Sequence, residues 1–372
     1  MMITLAARGG FDNPKSWSGT PFILKNELEK ALGSPVPAID WQINKTILSL
    51  YHRIYSRLFF TWGTSRDPLL HPLFKSRISS LLSNIASEKQ WLMFVSDYCI
   101  PDQVADKLRY AAYFDAFLLD FFDYIGDKRF MRKLFIRHYE RYNREYLSRM
   151  DVIFTQNEWT RHSITEAYNI DPDRIINVGF GINVSPLEED KNYDEERILI
   201  VLRKGTEKYK GLLLLLDAFK LVREKNPSVS LAVVGTDVGQ SQPGVTCYYN
   251  QPRSVTEDLF RRSSLYVMPA LHEPNGITYL EALANKTPII GLNRFAFPEF
   301  SGYGKYGFIV QKEDPAELAD VILKALSDKK KLEVMGFQGQ KFVTERYRWN
   351  IVAGKMIKAM QADDAKKQIA DA

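Results

Sequence analysis

Two carboxylates, Glu273 and Glu281, stand with seven residues between them in the stretch HEPNGITYLEALANKTPIIG, residues 272–291. The pattern LYVMP predicts a strand just before it, and the turn ALHEPNG leads into a helix. The first N–H groups of that helix, near Gly276, Ile277 and Thr278, have no partner inside it. With the helix dipole they make an anion site suited to a phosphate, and Gly276 lets the anion approach the backbone closely. Glu273 lies ahead of the helix, where a carboxylate accepts hydrogen bonds from sugar hydroxyls. Glu281 lies further along, about 7.5 Å beyond Gly276 at 1.5 Å rise per residue, on the face that also carries Ile277. The spacing therefore puts one carboxylate ahead of a diphosphate and the other behind it, beside a ribose. From Ile277 to Lys286 the only charged residues are Glu281 and Lys286. A helix so apolar is a buried one, and a buried carboxylate needs partners. The bland alternative is a solvated surface glutamate.

A second chemical segment is LRKGTEKYKG, which follows a predicted strand and offers Arg203, Lys204, Lys208 and Lys210. Such a turn can neutralise a diphosphate or simply be a solvated basic loop. Gly9 and Gly10 end the first predicted strand, and Gly19 opens the first helix, so a ligand can come close to the backbone there. Other signals are negative. Asp171 to Asp173, DPD, form a turn signal rather than a metal site. No Walker A, HExxH or GxSxG pattern occurs. The five histidines are scattered, and Cys99 and Cys247 show no CxxC spacing, so no metal site is expected and a reducing compartment is.

These residues need elements to position them. A chain of 372 residues suggests two domains. In the second half ERILIVL, VSLAVVGT, VTCYYN, SLYVMPA, TPIIGLN and GFIV predict strands, and helices such as GLLLLLDAFKLVREKN, VTEDLFRRS and ITYLEALAN alternate with them. In the first half the strands are MMITLAA, WLMFVSDY, RYAAYFD, DVIFTQN and RIINVGF, with a helix TPFILKNELEKALG that has Thr20 as N-cap and Pro21 after it. Alternation of this kind indicates an α/β chain of two doubly wound parallel sheets. The acidic stretch VSPLEEDKNYDEE, residues 184–196, reads as a solvated linker. The expected domains are 1–185 and 186–350, with a helix over 351–372 that packs back on the first.

A net charge of +5 allows anionic ligands without arguing for nucleic acid. No apolar run reaches the ~18 residues of a membrane span, and no signal peptide is expected from the opening residues MMITLAARGG. Residues 127–150 predict a basic amphipathic helix, with Met131, Phe135, Tyr139, Tyr142 and Tyr146 on one face. It serves either as a domain helix or as a peripheral contact with anionic membrane.

Glu273 and Glu281 within EPNGITYLEALANKTPIIG resemble the E-x7-E motif of retaining glycosyltransferases of family 4, a GT-B family. RKGTEKYKGLLLLLDAF, VIFTQNEWTRHSITEAYNIDPDRIINVGFGIN and SWSGTPFILKNELEKAL are similar to further segments of that family, so the resemblance covers most of the chain. It implies two Rossmann-like domains facing across a cleft, and a role for each residue. Glu273 would hold the donor-sugar hydroxyls, Glu281 the ribose, and the Ile277 and Thr278 N–H groups the diphosphate. Lys210 matches the family lysine that neutralises the leaving group. The arginine position falls on Arg203 or Lys204, with Arg203 favoured because a guanidinium grips phosphate bidentately. Gly10 and Gly19 would belong to a loop facing the donor phosphates and the acceptor, although SGTP stands where many members have two glycines. Asn275 replaces a common phenylalanine and Lys286 a common glycine at the donor pocket. Asp115, in YFDAF, stands near the place of a family histidine that contacts the donor sugar. The resemblance further implies a cytoplasmic, metal-independent enzyme of envelope or polysaccharide synthesis. It would use a nucleotide sugar, UDP by family frequency, and a glycan or lipid-linked acceptor, with no tightly bound cofactor. A GT-B epimerase and a non-catalytic nucleotide-sugar-binding protein are the alternatives.

Overall fold

The computed structural model describes residues 1–13, 16–54, 70–82, 90–100, 108–115, 130–239 and 242–370. The chain forms two compact units, Met1–Gly179 with Trp349–Ala372, and Phe180–Arg348.

The first unit is built on a parallel sheet of β1 (Ile3–Ala7), β2 (Ala38–Asp40), β3 (Gln90–Val95), β4 (Leu108–Phe114), β5 (Val152–Thr155) and β6 (Ile175–Asn177), in the order β2-β1-β3-β4-β5-β6. β1, β3 and β5 are buried along their whole length, as expected of strands covered by helices on both faces. Its helices are α1 (Thr20–Leu32), α2 (Lys45–Ile54), α3 (His71–Leu82), α4 (Phe130–Arg149) and α5 (Glu158–Tyr168). Thr20 is not the N-cap of α1. It is the first helical residue, and Gly19 takes the cap position at φ 82. Ser18 just before it has φ 56, so both residues of this turn hold the left-handed backbone that glycine adopts most easily.

The basic helix expected over 127–150 is α4, with 127–129 outside the described residues. Its Phe135, Tyr139, Tyr146 and Leu147 are buried in the unit, and Tyr142 stacks on His71 at 4.0 Å between ring centroids. Phe135, Tyr139, Tyr142 and Tyr146 of the expected apolar face of α4 are thus spent on the unit's interior, while the Met131 side chain lies outside the described residues.

The second unit carries β7 (Arg197–Val201), β8 (Ser230–Val234), β9 (Val245–Tyr248), β10 (Leu265–Val267), β11 (Ile289–Leu292) and β12 (Gly307–Val310). All pairs are parallel, in the order β12-β11-β10-β7-β8-β9. The chain winds outward from β7 to β9 and then returns to the other side of β7 as β10. That reversal makes the carboxyl ends of β7 and β10 the switch point, where open α/β sheets bind ligands. The helices are α6 (Leu212–Lys225), α7 (Arg253–Arg262), α8 (Ile277–Ala284), α9 (Phe297–Phe300), α10 (Pro315–Leu326) and α11 (Lys329–Arg346).

The stretch 184–196 is not a solvated linker. Glu188, Glu189 and Asp190 are exposed, but Leu187 and Tyr193 are buried. Lys191 points its ammonium at the Phe260, Arg261 and Asn285 carbonyls and the Thr287 hydroxyl, at 2.8, 2.8, 3.0 and 2.8 Å. The carbonyls cluster at the C-terminal ends of α7 and α8, where the helix dipole favours a cation. The charge pattern of the segment hid these three inward residues.

The last helix, α12 (Trp349–Ala370), belongs to the first unit. Arg109 on β4 bonds both Asp363 and Asp364, the latter at 2.7 Å, and lies 4.4 Å over the Trp91 ring. The Trp91 indole N–H also donates to Asp364 at 3.1 Å. Among the described residues no helix is long and apolar enough to cross a membrane.

Candidate functional site

The site grows from two turns at the switch point of the second unit. The turn after β7 runs from Arg203 to Gly211 and starts α6; the turn after β10 runs from Met268 to Gly276 and starts α8. They are zipped together by the Tyr209 carbonyl, which accepts the Leu271 and His272 N–H groups at 2.8 and 3.1 Å. Gly211 permits the contact. It caps α6 at φ 72, and a Cβ there would sit 2.0 Å from the Pro269 carbonyl oxygen.

This junction brings Lys210 to Glu273, Nζ to Oε2 3.0 Å. The other oxygen of Glu273 accepts the Gly276 N–H at 2.9 Å. Burial pushes the Glu273 carboxyl up, but Lys210 and the Gly276 N–H outweigh it and hold the pKa below the ordinary value. Glu273 is therefore ionised at neutral pH, fixed between an ammonium and the amino end of α8. Gly276 itself, at φ 75, has its N–H engaged by Glu273 rather than open to an anion. Ile277 and Thr278, at the first helical positions, keep N–H groups that have no acceptor within α8. The Thr278 hydroxyl accepts from Tyr266 OH at 2.7 Å, and Tyr279 OH donates to the Met268 carbonyl at 2.5 Å. These two buried tyrosines fix the start of α8 from below.

Gly276→Ala is expected to lose about 2 kcal/mol of stability and most of any anion binding at the start of α8. Its Cβ would stand 2.5 Å from the Tyr279 ring in a left-handed backbone. Urea unfolding and an anion titration check this; unchanged values in both would show that α8 can re-form its start.

Glu281 is 9 % exposed and lies on a helix that is otherwise apolar or small. Burial raises its pKa to about 7, against the pull of Arg253, Lys210 and the Asn183 backbone N–H. Arg253, at the start of α7, approaches it at 3.7 Å and also holds Glu257 at 3.1 Å and the Asn183 carbonyl. His272, against the Phe295 ring, is kept toward its neutral form by burial.

Of the sequence candidates, the structure brings Lys210, Glu273, Gly276, Ile277, Thr278 and Glu281 to one place. Asn275 sits in the turn between Glu273 and Gly276. Arg203 and Lys204 are exposed on the turn after β7. The Arg203 backbone bonds Thr206, and the Lys204 ammonium lies 5.7 Å over the Tyr249 ring. Asp115, Gly10 and Gly19 lie in the first unit, Asp115 at the end of β4 with its carbonyl accepting from Thr160 at 2.7 Å. Sequence reasoning missed Arg253 and Tyr266. Arg253 belongs to a surface helix with no motif of its own, and Tyr266 looks like any core residue of a strand.

The chain is similar to known proteins in sequence and in fold. The sequence profile of the glycosyl transferases group 1 family matches residues 186–342. A GDP-mannose-dependent alpha-(1-6)-phosphatidylinositol monomannoside mannosyltransferase of Mycobacterium tuberculosis is 33 % identical over 92 residues, 25 % of this chain and 24 % of that protein. A capsular polysaccharide biosynthesis glycosyltransferase of Staphylococcus aureus is 25 % identical over 224 residues, 54 % of this chain and 58 % of that one. The aligned part thus spans between a quarter and three fifths of these relatives. The crystal structure of α,α-trehalose 6-phosphate synthase from Burkholderia multivorans superposes with a TM-score of 0.71 at 12 % identity, covering 98 % of this chain and 99 % of that one. Residues 186–342 are thus similar to the glycosyl transferases group 1 family, and the two parallel six-stranded sheets of the chain give it the GT-B fold.

Proposed function

We propose that the protein is a retaining, metal-independent glycosyltransferase that moves a sugar from a nucleotide sugar to a hydroxyl of a glycan or lipid-linked acceptor in envelope or polysaccharide synthesis. The observation that carries this is the Glu273 carboxylate, held between Lys210 and the amino end of α8 at a sheet switch point. A diphosphate laid against the Ile277 and Thr278 N–H groups meets the Lys210 ammonium, whose three donors can serve Glu273 and a phosphate oxygen together. The free lone pairs of Glu273 take donor-sugar hydroxyls, and Glu281 takes the ribose. As the bond from the anomeric carbon to the diphosphate breaks, the sugar gains oxocarbenium character, and Lys210 and the helix start stabilise the charge on the departing oxygen. The acceptor hydroxyl attacks from the face the diphosphate leaves, which retains configuration. Its proton passes to the leaving phosphate.

A UDP-sugar is the donor we expect. Similarity to a GDP-mannose-dependent enzyme makes the guanine sugars the direct rival. A thermal-shift screen of UDP, GDP, ADP and dTDP sugars tests the reading. One donor at about a hundred times its Kd should add about 2.7 kcal/mol and raise the melting point by several degrees. No shift with any nucleotide sugar would overturn the proposal.

A further inference from the structure

Helices α2 and α3 leave apolar side chains outside the core of the first unit. α2 sends Leu48 and Tyr51 inward, but Ile47 and Leu50 stand 43 % and 57 % exposed. They are one helical turn apart and so form a strip along the outer face. α3 sends Phe74, Ile78 and Leu82 inward and leaves Leu73 at 43 % exposure. An open groove of about 790 Å³ lies between the two helices, with Lys45, Ile47, Leu73, Ser76, Arg77 and Ser80 on its walls.

The charges on these two helices all have one sign. Lys45 and Arg53 lie on α2, and Lys75 and Arg77 on α3; neither helix contains an Asp or Glu. Lys45, Arg53 and Arg77 are exposed. Three apolar residues make too small a patch for a stable protein interface, which needs about 800 Å² on each partner. They suffice for shallow insertion into a bilayer when cations meet anionic headgroups around them. We infer that the α2–α3 face is a docking surface for a bilayer rich in anionic phospholipid. Ile47, Leu50 and Leu73 enter the acyl boundary, and Lys45, Arg53 and Arg77 meet the lipid phosphates, with Ser76 and Ser80 as hydroxyl donors. The contact falls on α2 and α3 and not on α4. Phe135, Tyr139, Tyr146 and Leu147 of α4 are buried, and its outer face mixes Glu140 and Glu145 with its cations.

The test is co-sedimentation of the full chain with vesicles, without any nucleotide sugar, so that its outcome is independent of the transferase reading. The protein should be retained by phosphatidylglycerol–phosphatidylcholine vesicles and not by phosphatidylcholine alone. The triple variant Lys45→Gln/Arg53→Gln/Arg77→Gln should lower the partition by about 100-fold, and Ile47→Ser/Leu50→Ser by about tenfold. All five positions are exposed, so unchanged melting points are expected in both variants. Lys133→Gln/Arg137→Gln on α4 should bind as wild type does. Three results would overturn the inference: no retention on anionic vesicles, retention unaffected by the α2–α3 variants, or loss caused by the α4 variant.

Discussion

Lys210→Met is expected to cut sugar transfer by about a thousandfold, the size of effect seen when a donor to transition-state charge is removed, and also to destabilise the fold. Adding Glu273→Gln should restore stability while leaving transfer as low as before. The reason lies in how the pair is housed. The Lys210 and Glu273 side chains are only 14 % and 20 % exposed, and their 3.0 Å contact is what offsets the burial of the carboxylate. Methionine leaves that carboxylate without its cation, at a cost of about 2–3 kcal/mol. Glutamine removes the charge and can still accept the Gly276 N–H, so the double variant has no uncompensated ion. The sign in pH follows. Glu273 has a folded pKa below 4.5, so its contribution to stability is present above the unfolded value and fades as pH falls through the folded one. In Lys210→Met, the Gly276 N–H and His272 are left to oppose burial without the ammonium, and that dependence should weaken or reverse. Urea melts at two pH values and an assay of sugar transfer read the two properties separately. A double variant no more stable than Lys210→Met would remove the ion-pair account. A Lys210→Met enzyme within tenfold of the wild-type rate would remove the leaving-group role.

Much of this arrangement is legible in the sequence because it is local. The seven-residue spacing of Glu273 and Glu281 and the apolar body between them place both on one short helix and its approach. The runs ERILIVL, VSLAVVGT and TPIIGLN are apolar because both faces of their sheet are covered, so the parallel architecture is legible too. What escapes is set by tertiary packing. β2 has only three residues, too few for a periodicity to emerge. Lys191 sits in an acidic run, and nothing in its neighbours announces that helix carbonyls will surround it. Gly19 rather than Thr20 caps α1 because its left-handed backbone closes the preceding turn, which a capping preference alone does not encode. Arg253 reaches Glu281 only because α7 ends up beside α8, a neighbourhood fixed by the order of β9, β10 and β7 in the sheet.

With the ribose role proposed for it, Glu281 sets function against stability, and it supports the second large prediction. Its pKa of about 7 lies well above the ordinary 4.5, with burial as the leading cause. A carboxyl whose folded pKa is raised stabilises the fold below the unfolded value and loses that contribution as pH rises through the folded one. Between pH 4.5 and 7 the empty protein therefore weakens, and above pH 7 it carries an ionised, buried Glu281 at a cost of about 3 kcal/mol. Glu281→Gln should remove that cost and raise the melting point above pH 7, while the two variants converge at acid pH. Binding should move the other way. Two ribose hydroxyls donate to a carboxylate better than to a carboxylic acid or an amide, so donor affinity for the wild type should rise with pH up to about 7 and then level off. In Glu281→Gln it should be weaker, by about tenfold or more, and flat over that range. A nucleotide sugar suits the titration because its esterified diphosphate does not titrate in this window. Calorimetry across the range measures both affinity and the protons released on binding. If Glu281→Gln were less stable than wild type at pH 8, the carboxylate would be compensated inside the fold. If donor affinity kept its inflection in that variant, the titrating group would be some other residue and the ribose contact would have to be reassigned.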